Sequence, residues 1–325
     1  MIPKVQRGFI LVATLWILAV ITIAAAYFAE RVGRTIEQTR QKQETTEQLV
    51  EFSNTRADVL FRLGTTTISL FGLGEQPGIG LDNRAYRGSG SDIVRLQDER
   101  GLLSVNFVDP NLLTRFLGEL GVPAEKRGPM IDTLMDYTDA DDLRRLNGAE
   151  AAEYAALGLP PPPNELLATP YQLKNIIGWR DQAGLWENQR LTSFITTSRV
   201  NGFNPNTAPV ELLASLPGSN RDIADVMVKI RKDQPLRNIA QFVGGPQDSD
   251  SFLYFPGNSM RITHQSQKFR WAVQYSLTLM PTSEVAPWRI DYHVKTTVPY
   301  PTENVDKLQK LPAQTSAQAA DDQAF

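Results

Sequence analysis

The residues best suited to chemistry lie in one short acidic stretch. Between Asp132 and Glu153 the chain sets seven carboxylates against two basic residues, Arg144 and Arg145. Asp136, Asp139, Asp141 and Glu150 could converge on one hard cation. Calcium takes about six to eight oxygen ligands in flexible geometry, which suits such a set. The stretch is not an EF-hand, because the D-x-D-x-D-G spacing and its closing glutamate are absent. A solvated acidic loop accounts for the same spacing. A paired-carboxylate hydrolase is a third reading, and no apolar cleft pattern surrounds the acids to support it.

Other chemistries are excluded more simply. There is no cysteine, hence no disulfide, thiolate metal site or cysteine nucleophile. His264 and His293 are the only histidines, so a histidine-rich metal site is excluded and a Ser-His-Asp triad has two candidate bases. His293 stands out of register with Tyr292 in an alternating run, which predicts a solvent-facing strand residue. His264 sits in a polar stretch just before a strand, and neither histidine has a patterned acidic partner. No Gly-Lys dipeptide, GxSxG or HExxH occurs. The formal charge of -3 across 325 residues argues against a chain devoted to a nucleic-acid backbone.

A second motif bears on that point. Asn204 to Arg231, with Leu216-Pro217-Gly218, Ala224 and Ile230, reads as a helix-hairpin-helix. In DNA-binding examples the amides of a glycine turn grip a phosphate. Here the turn is Gly218-Ser219-Asn220, and Asn204 to Val243 carries five basic and four acidic residues. A surplus of one positive charge is too little to hold DNA well at physiological salt. Packing two short helices is the structural use of such a motif. A membrane-anchored DNA receptor of an uptake machine is the rival function.

The elements that must position these groups begin at the amino terminus. Gly8 to Phe28 is 21 residues without a charge, long enough as a helix to cross a hydrocarbon core of roughly 30 Å. Lys4 and Arg7 precede it and Arg31 and Arg34 follow, so charge counting does not settle orientation. Ala24-Ala25-Ala26 could mimic a signal-peptidase site. From Glu30 to Arg62 there are six basic and six acidic residues and no proline. Glu30/Arg34 and Arg40/Glu44 stand at i,i+4 spacing. Apolar residues return at Leu49, Phe52, Val59, Leu60 and Leu63. This predicts one long helix, lipid-embedded at first, then solvated, then docked, and broken at Gly72 and Gly74.

Downstream, Gly72 to Ser91 reads as a loop. Val94 and Leu96, then Leu103, Val105 and Phe107, alternate around a hairpin turn at Asp98–Gly101. Short helices follow at 111–120, 130–137, 164–177, 210–216, 223–231 and 236–243, forming a compact all-α unit. The period then returns to two over Phe269–Leu279 and Trp288–Thr296, an antiparallel pair with one buried face. From Thr302 the chain is polar and reads as disordered. The expected fold class is α+β: a long N-terminal helix on an antiparallel sheet, with a large all-α domain inserted between strands.

These residues resemble a known family. Arg7-Gly8-Phe9 before the apolar run is similar to the processing site of type IV pilins and type II secretion pseudopilins. Major members carry glutamate at the fifth mature position, where this chain has Ala13; that departure is typical of the K-type minor pseudopilin of the type II secretion system. Asp98-Glu99-Arg100-Gly101-Leu102-Leu103-Ser104-Val105-Asn106 resembles that family's passage into its helical domain. Leu134 to Asp142, then Gly148-Ala149-Glu150 and Tyr154, resembles its D-[WY]-x-D-x-D…G-A-E…Y segment. Asn164-Glu165-Leu166-Leu167 and Asn204-Pro205-Asn206-Thr207-Ala208 resemble its later motifs. The similarity runs to about residue 298.

The resemblance implies a pilin-like fold and a structural, non-enzymatic role. It implies a leader at 1–8 cut between Gly8 and Phe9 by a prepilin peptidase, with methylation of Phe9. The assembly helix would be 9–29, its periplasmic continuation 30–72, the α/β head 73–107 with 246–300, the inserted helical domain 108–245 and the tail 301–325. It implies an inner-membrane anchor and a periplasmic head. The partners it implies are I-type and J-type minor pseudopilins and the inner-membrane assembly platform, with the secretin or exoprotein cargo beyond them, and no nucleic acid. The family binds calcium in its helical domain, which favours Ca2+ at Asp136, Asp139, Asp141 and Glu150. A missing glutamate and a bulky head both suit the pseudopilus tip; the absence of cysteine departs from members with a disulfide.

Overall fold

The computed structural model describes residues 8–74, 78–244, 251–299, 301 and 303–312. Residues 1–7 of the expected leader at 1–8 and most of the expected tail lie outside these residues. Two units are distinguishable, residues 1–53 and 54–325.

In the first unit, helix α1 begins at Gly8; the helix as a whole is Gly8–Thr65. Its apolar residues, from Ile10 to Phe28, are exposed, with Trp16 at 70%. Among the described residues this is the one helix long and apolar enough to cross a membrane. The i,i+4 pairs form as the spacing predicts: Arg34 with Glu30, and Arg40 Nε on Glu44 at 3.0 Å. Such exposed pairs contribute a few tenths of a kcal/mol each.

In the second unit α1 ends at Thr65, not near 72. The reason is local: Thr65-Thr66-Thr67 is a β-branched run that prefers extended backbone. The chain then forms a hairpin, β1 (Ile68–Ser69) and β2 (Gly72–Leu73). Gly72 has φ of 115°, and a Cβ there would lie 2.2 Å from the Ile79 carbonyl oxygen, so only glycine fits.

Five antiparallel strands follow in the order β3-β4-β7-β8-β9: β3 (Asp82–Arg87), β4 (Asp92–Asp98), β7 (Ser259–Ser266), β8 (Trp271–Leu279) and β9 (Trp288–Thr297). Val59, Leu60 and Leu63 of α1 pack on Val94, Leu96, Met260, Ile262, Tyr275 and Leu277, the alternate residues of the three central strands. The sheet departs from expectation in three places. β3 lies in the stretch read as a loop, hidden by its polar sequence Asp-Asn-Arg-Ala-Tyr-Arg. β7 was also unforeseen; His264 lies inside it rather than before a strand, and is buried. Asp98–Gly101 is not a hairpin turn but a single 3-10 turn at Glu99–Gly101. After it, β5 (Leu103–Ser104) pairs in parallel with β6 (Ile195–Thr196), far along the chain.

The insertion leaves the sheet at Asp98 and returns at Ser259, and Asp98 pairs with Met260 across β4 and β7. It contains α2 (Pro110–Glu119), α3 (Ala124–Thr138), α4 (Ala151–Ala156), α5 (Ala183–Trp186), α6 (Val210–Ala214), α7 (Arg221–Ile230) and α8 (Ala240–Val243). The helix expected at 164–177 is only a 3-10 segment, Pro170–Asn175. The insertion also has two apolar cores rather than one. The first, from Leu103 to Leu212, centres on Phe116, Leu134 and Trp179; the second, from Ala208 to Phe252, is the hairpin of α6 and α7. The expected disordered tail is ordered at its start: Arg87 N donates to the Gln309 carbonyl and Leu311 N to the Arg87 carbonyl, so residues 309–311 cover the free edge of β3.

Gly101 tests this junction. A Cβ there would stand 2.6 Å from Thr207 Oγ1 and 2.7 Å from the Thr207 carbonyl carbon. Gly101→Ala is expected to destabilise the head by about 1–3 kcal/mol in chemical denaturation. An unchanged midpoint would mean that the approach is slack.

Candidate functional site

The acidic stretch is built on the end of α3. Asp136 faces inward from its last turn and is fully buried, and Asp139 caps the helix. The loop then folds back so closely that a Cβ on Gly148 would sit 1.8 Å from Asp136 Oδ2. Glycine at 148 therefore lets the buried carboxylate lie against loop backbone. Tyr154 of α4 fixes the far side: its ring packs 6.0 Å from that of Tyr137, and its hydroxyl accepts from Ile177 N at 3.3 Å.

Arg145 is the feature that spacing did not reveal. One of its guanidinium nitrogens, Nη1, donates to Asp136 Oδ1 at 2.7 Å and to Asp139 Oδ2 at 2.5 Å. Its backbone amide donates to Asp136 Oδ2 at 3.1 Å. Asp139 and Asp136 together raise the Arg145 pKa. The remaining acids are held singly. Asp132 accepts from Asn147, Asp141 from Leu143 N at 2.8 Å, and Asp142 from Asn164 Nδ2 at 2.9 Å.

Glu150 differs from all of these. It stands at the N-cap of α4, where its amide donates to Glu153 Oε2 at 3.0 Å. Its own carboxylate is turned toward the helix in capping-box fashion without reaching a hydrogen bond of ordinary geometry. Both oxygens are shielded from solvent, and so is Asp139 Oδ1. Burial, then the charges of Asp136, Asp139, Asp142 and Asp141, push the Glu150 carboxyl up to about 6. The donor set thus fits a hard cation in its chemistry: oxygen ligands only, three of them buried without a partner. As the loop stands, no group of three or more His, Asp or Glu side chains among the described residues is arranged to hold a metal ion. Of the four expected ligands, Asp136 and Asp139 meet at Arg145, Glu150 lies within their electrostatic reach, and Asp141 is exposed on the loop.

Two further motifs meet in space. Asp98, fully buried, accepts from Asn204 Nδ2 and Thr207 Oγ1 at 2.9 Å each, from Gly257 N at 3.0 Å and from Arg100 N at 3.1 Å. Beside it, buried Glu99 faces the Arg261 guanidinium, with Nε at 3.8 Å. The Arg100 guanidinium lies over the Phe255 ring at 5.1 Å.

The helix-hairpin-helix forms, with Gly218 at φ of 76° in its turn. Two of the five basic residues between Asn204 and Val243 are engaged internally. Arg221 pairs with Glu211 at 3.2 Å, and Arg231 donates to the Pro205 and Ala208 carbonyls. The Ser219 amide donates to the Leu216 carbonyl. This arrangement serves helix packing.

The histidines part company. His293 is exposed on β9 as expected. His264 has the acidic partner its sequence context did not show: its Nδ1 lies 2.8 Å from Asp92 Oδ2, and Nε2 lies 3.3 Å from the Tyr275 hydroxyl.

The Glu150 geometry sets a pH dependence. A carboxyl raised in the folded state favours folding when protonated. Its cost is absent below its ordinary value near 4.5 and fully present above about 6. Glu150→Gln is expected to raise the melting temperature at pH 7 without divalent cations, on the order of 1 kcal/mol after solvent screening. The gain should vanish near pH 4. A lowered melting temperature at pH 7 would contradict this.

Residues 95–206 match the family described as type II secretion system (T2SS), protein K. No curated protein matches the chain. Among solved structures, a chain of the GspK-GspI-GspJ complex from the type 2 secretion system of enterotoxigenic Escherichia coli superposes with a TM-score of 0.54. The alignment has 16% identity and covers 80% of this chain and 99% of that one. That likeness shows the fold, and the family match runs from Arg95 in β4 through most of the first insertion core to Asn206. Residues 95–206 thus match the type II secretion system protein K family, about a third of the chain, within a pilin-like α+β fold, and the resemblance of the chain to the K-type minor pseudopilins stands.

Proposed function

We propose that this protein is a minor pseudopilin at the tip of the pseudopilus, where it starts assembly together with I-type and J-type minor pseudopilins. The observation that carries the reading is the helical insertion between β4 and β7, whose first core is the segment matching protein K. A head enlarged in this way is poorly suited to repetition along a shaft of closely stacked subunits. Ala13 supports the same position. A carboxylate buried in lipid is costly unless it meets a charged partner, and a subunit without one has nothing to offer a subunit above it. The solved GspK-GspI-GspJ complex is the precedent for the partners.

In this reading a prepilin peptidase cuts between Gly8 and Phe9 and methylates Phe9. The apolar start of α1 then anchors the chain in the inner membrane, with the head in the periplasm. The helix would associate with partner helices and engage the inner-membrane assembly platform, while the head would meet exoprotein cargo or the secretin. The role is structural rather than enzymatic. Asp136, Asp139, Asp141 and Glu150 are the residues that would hold Ca2+, which would supply charge neutralisation to the acidic loop. Glu150's unpartnered carboxylate supports this.

The amino-terminal peptide decides the class of protein. Mass spectrometry with a co-expressed prepilin peptidase is expected to find a peptide starting at methylated Phe9, absent without the peptidase. An intact Met1 in both cases, or a cut near Ala26, would discard the filament model.

A further inference from the structure

We infer that Arg145 is a built-in counter-cation that holds the acidic loop in a metal-free form and must be displaced before a divalent cation can bind. The inference rests on the calcium reading above and concerns how that site is regulated.

Asp136 and Asp139 share one guanidinium nitrogen, at 2.7 and 2.5 Å. A single cationic atom thus lies between two of the carboxylates that would hold the cation. Arg145 also belongs to the loop itself, and its own amide donates to the same Asp136 carboxylate. The side chain can therefore leave while the backbone anchor stays. Arg145 is a third exposed, whereas Asp136 is fully buried. A long side chain at that depth can swing to solvent at little desolvation cost.

The neutralisation that Arg145 provides is incomplete. From Asp132 to Glu153 two arginines face seven carboxylates, and Arg144 is taken up by Glu153 at 3.2 Å. Glu150, 6% exposed, keeps both oxygens unpartnered, and Asp139 Oδ1 is in the same state. These are the atoms that a divalent ion would satisfy and that Arg145 does not. A single positive charge leaves the loop intact but under-compensated. A divalent cation would bring Glu150 in and release Arg145. Leu143 and Leu146, which flank the arginines, are 76% and 88% exposed, so the segment that would move is not tied into the core.

Two states follow, one closed on Arg145 and one closed on the metal. A ligand's apparent affinity falls by the fraction of molecules in the competent state. Removing the internal competitor should therefore tighten binding. The test is calcium titration by isothermal calorimetry on the full chain in detergent, comparing wild type with Arg145→Met and Arg144→Met. Arg145→Met is expected to bind calcium roughly tenfold more tightly than wild type, and to melt lower than wild type without calcium but not with it. Arg144→Met removes the same charge from the loop surface and should shift affinity by less than about twofold, since exposed pairs contribute little. Arg145→Lys keeps the charge but not the reach, so it should fall between wild type and Arg145→Met. It also serves if the methionine variant does not fold.

Binding that is unchanged or weaker in Arg145→Met, with wild type binding calcium, would overturn the switch and leave the calcium site standing. Equal tightening by both methionine variants would overturn it in favour of general loop charge. No binding by any variant would overturn the calcium reading and the switch together. Binding by Arg145→Met alone would support the switch in its strongest form.

Discussion

The head and its insertion are joined at one buried carboxylate. Asp98 ends strand β4, where the chain leaves the sheet, and pairs with Met260, where it returns. Its oxygens accept from Arg100, Asn204, Thr207 and Gly257. These donors come from the turn, the far side of the first insertion core and the returning segment. Burial pushes the Asp98 carboxyl upward in spite of them. A buried carboxylate that lost this set would cost several kcal/mol, so the three segments must close together. Gly101 and the Glu99–Arg261 pair belong to the same closure. Gly101 lets Thr207 approach, and Arg261 reaches from β7 to the Thr192 and Ile195 carbonyls beside β6. The insertion is therefore hydrogen-bonded into the sheet at its base rather than hung from a flexible linker.

The acidic loop is organised by the opposite logic. At Asp98 every oxygen is satisfied by a neutral donor. At Asp136 and Asp139 the compensation is the charged Arg145 guanidinium, and the Glu150 carboxylate is turned to the start of α4 without an ordinary hydrogen bond. Fully satisfied buried networks rigidify a core, whereas an unpaired buried polar group is costly. The two sites thus differ in kind, one closed by neutral donors and one by a guanidinium.

Sequence reading captured the parts of the fold that repeat. The uncharged run at Gly8–Phe28, the alternation over β8, and the amphipathic faces of α2, α3 and α7 appear as expected; on β9 a register irregularity sets Trp288 and Ile290 opposite Leu279 and Leu277 but Tyr292 and Val294 opposite Ser276 and Gln274, so its alternating residues do not share one face. What it missed has no period. β3 is polar because it lies at a sheet edge, and β7 is masked by its polar residues Arg261, Thr263, His264 and Gln265; Arg261 bonds Thr192 and Ile195, and His264 bonds Asp92, far along the chain. The Asp98 turn looked like a hairpin because alternation resumes after it, yet the pairing strand stands about ninety residues later, at Ile195. At the acidic stretch the carboxylates were legible by type. Arg145's place among them was not, since i,i+9 proximity across a loop leaves no mark on spacing. The pairing of the Asp98 and Asn204–Thr207 motifs likewise became visible only in three dimensions.

A segment matching the protein K family, a pilin-like sheet and an apolar amino-terminal helix make assembly with partner subunits the central expectation. Co-expression of the processed chain with the I-type and J-type minor pseudopilins of the same secretion system, followed by size-exclusion chromatography with light scattering, tests it most directly. The account predicts a complex containing all three proteins. An I–J assembly eluting apart from this chain, with the chain itself folded and alone, would contradict it.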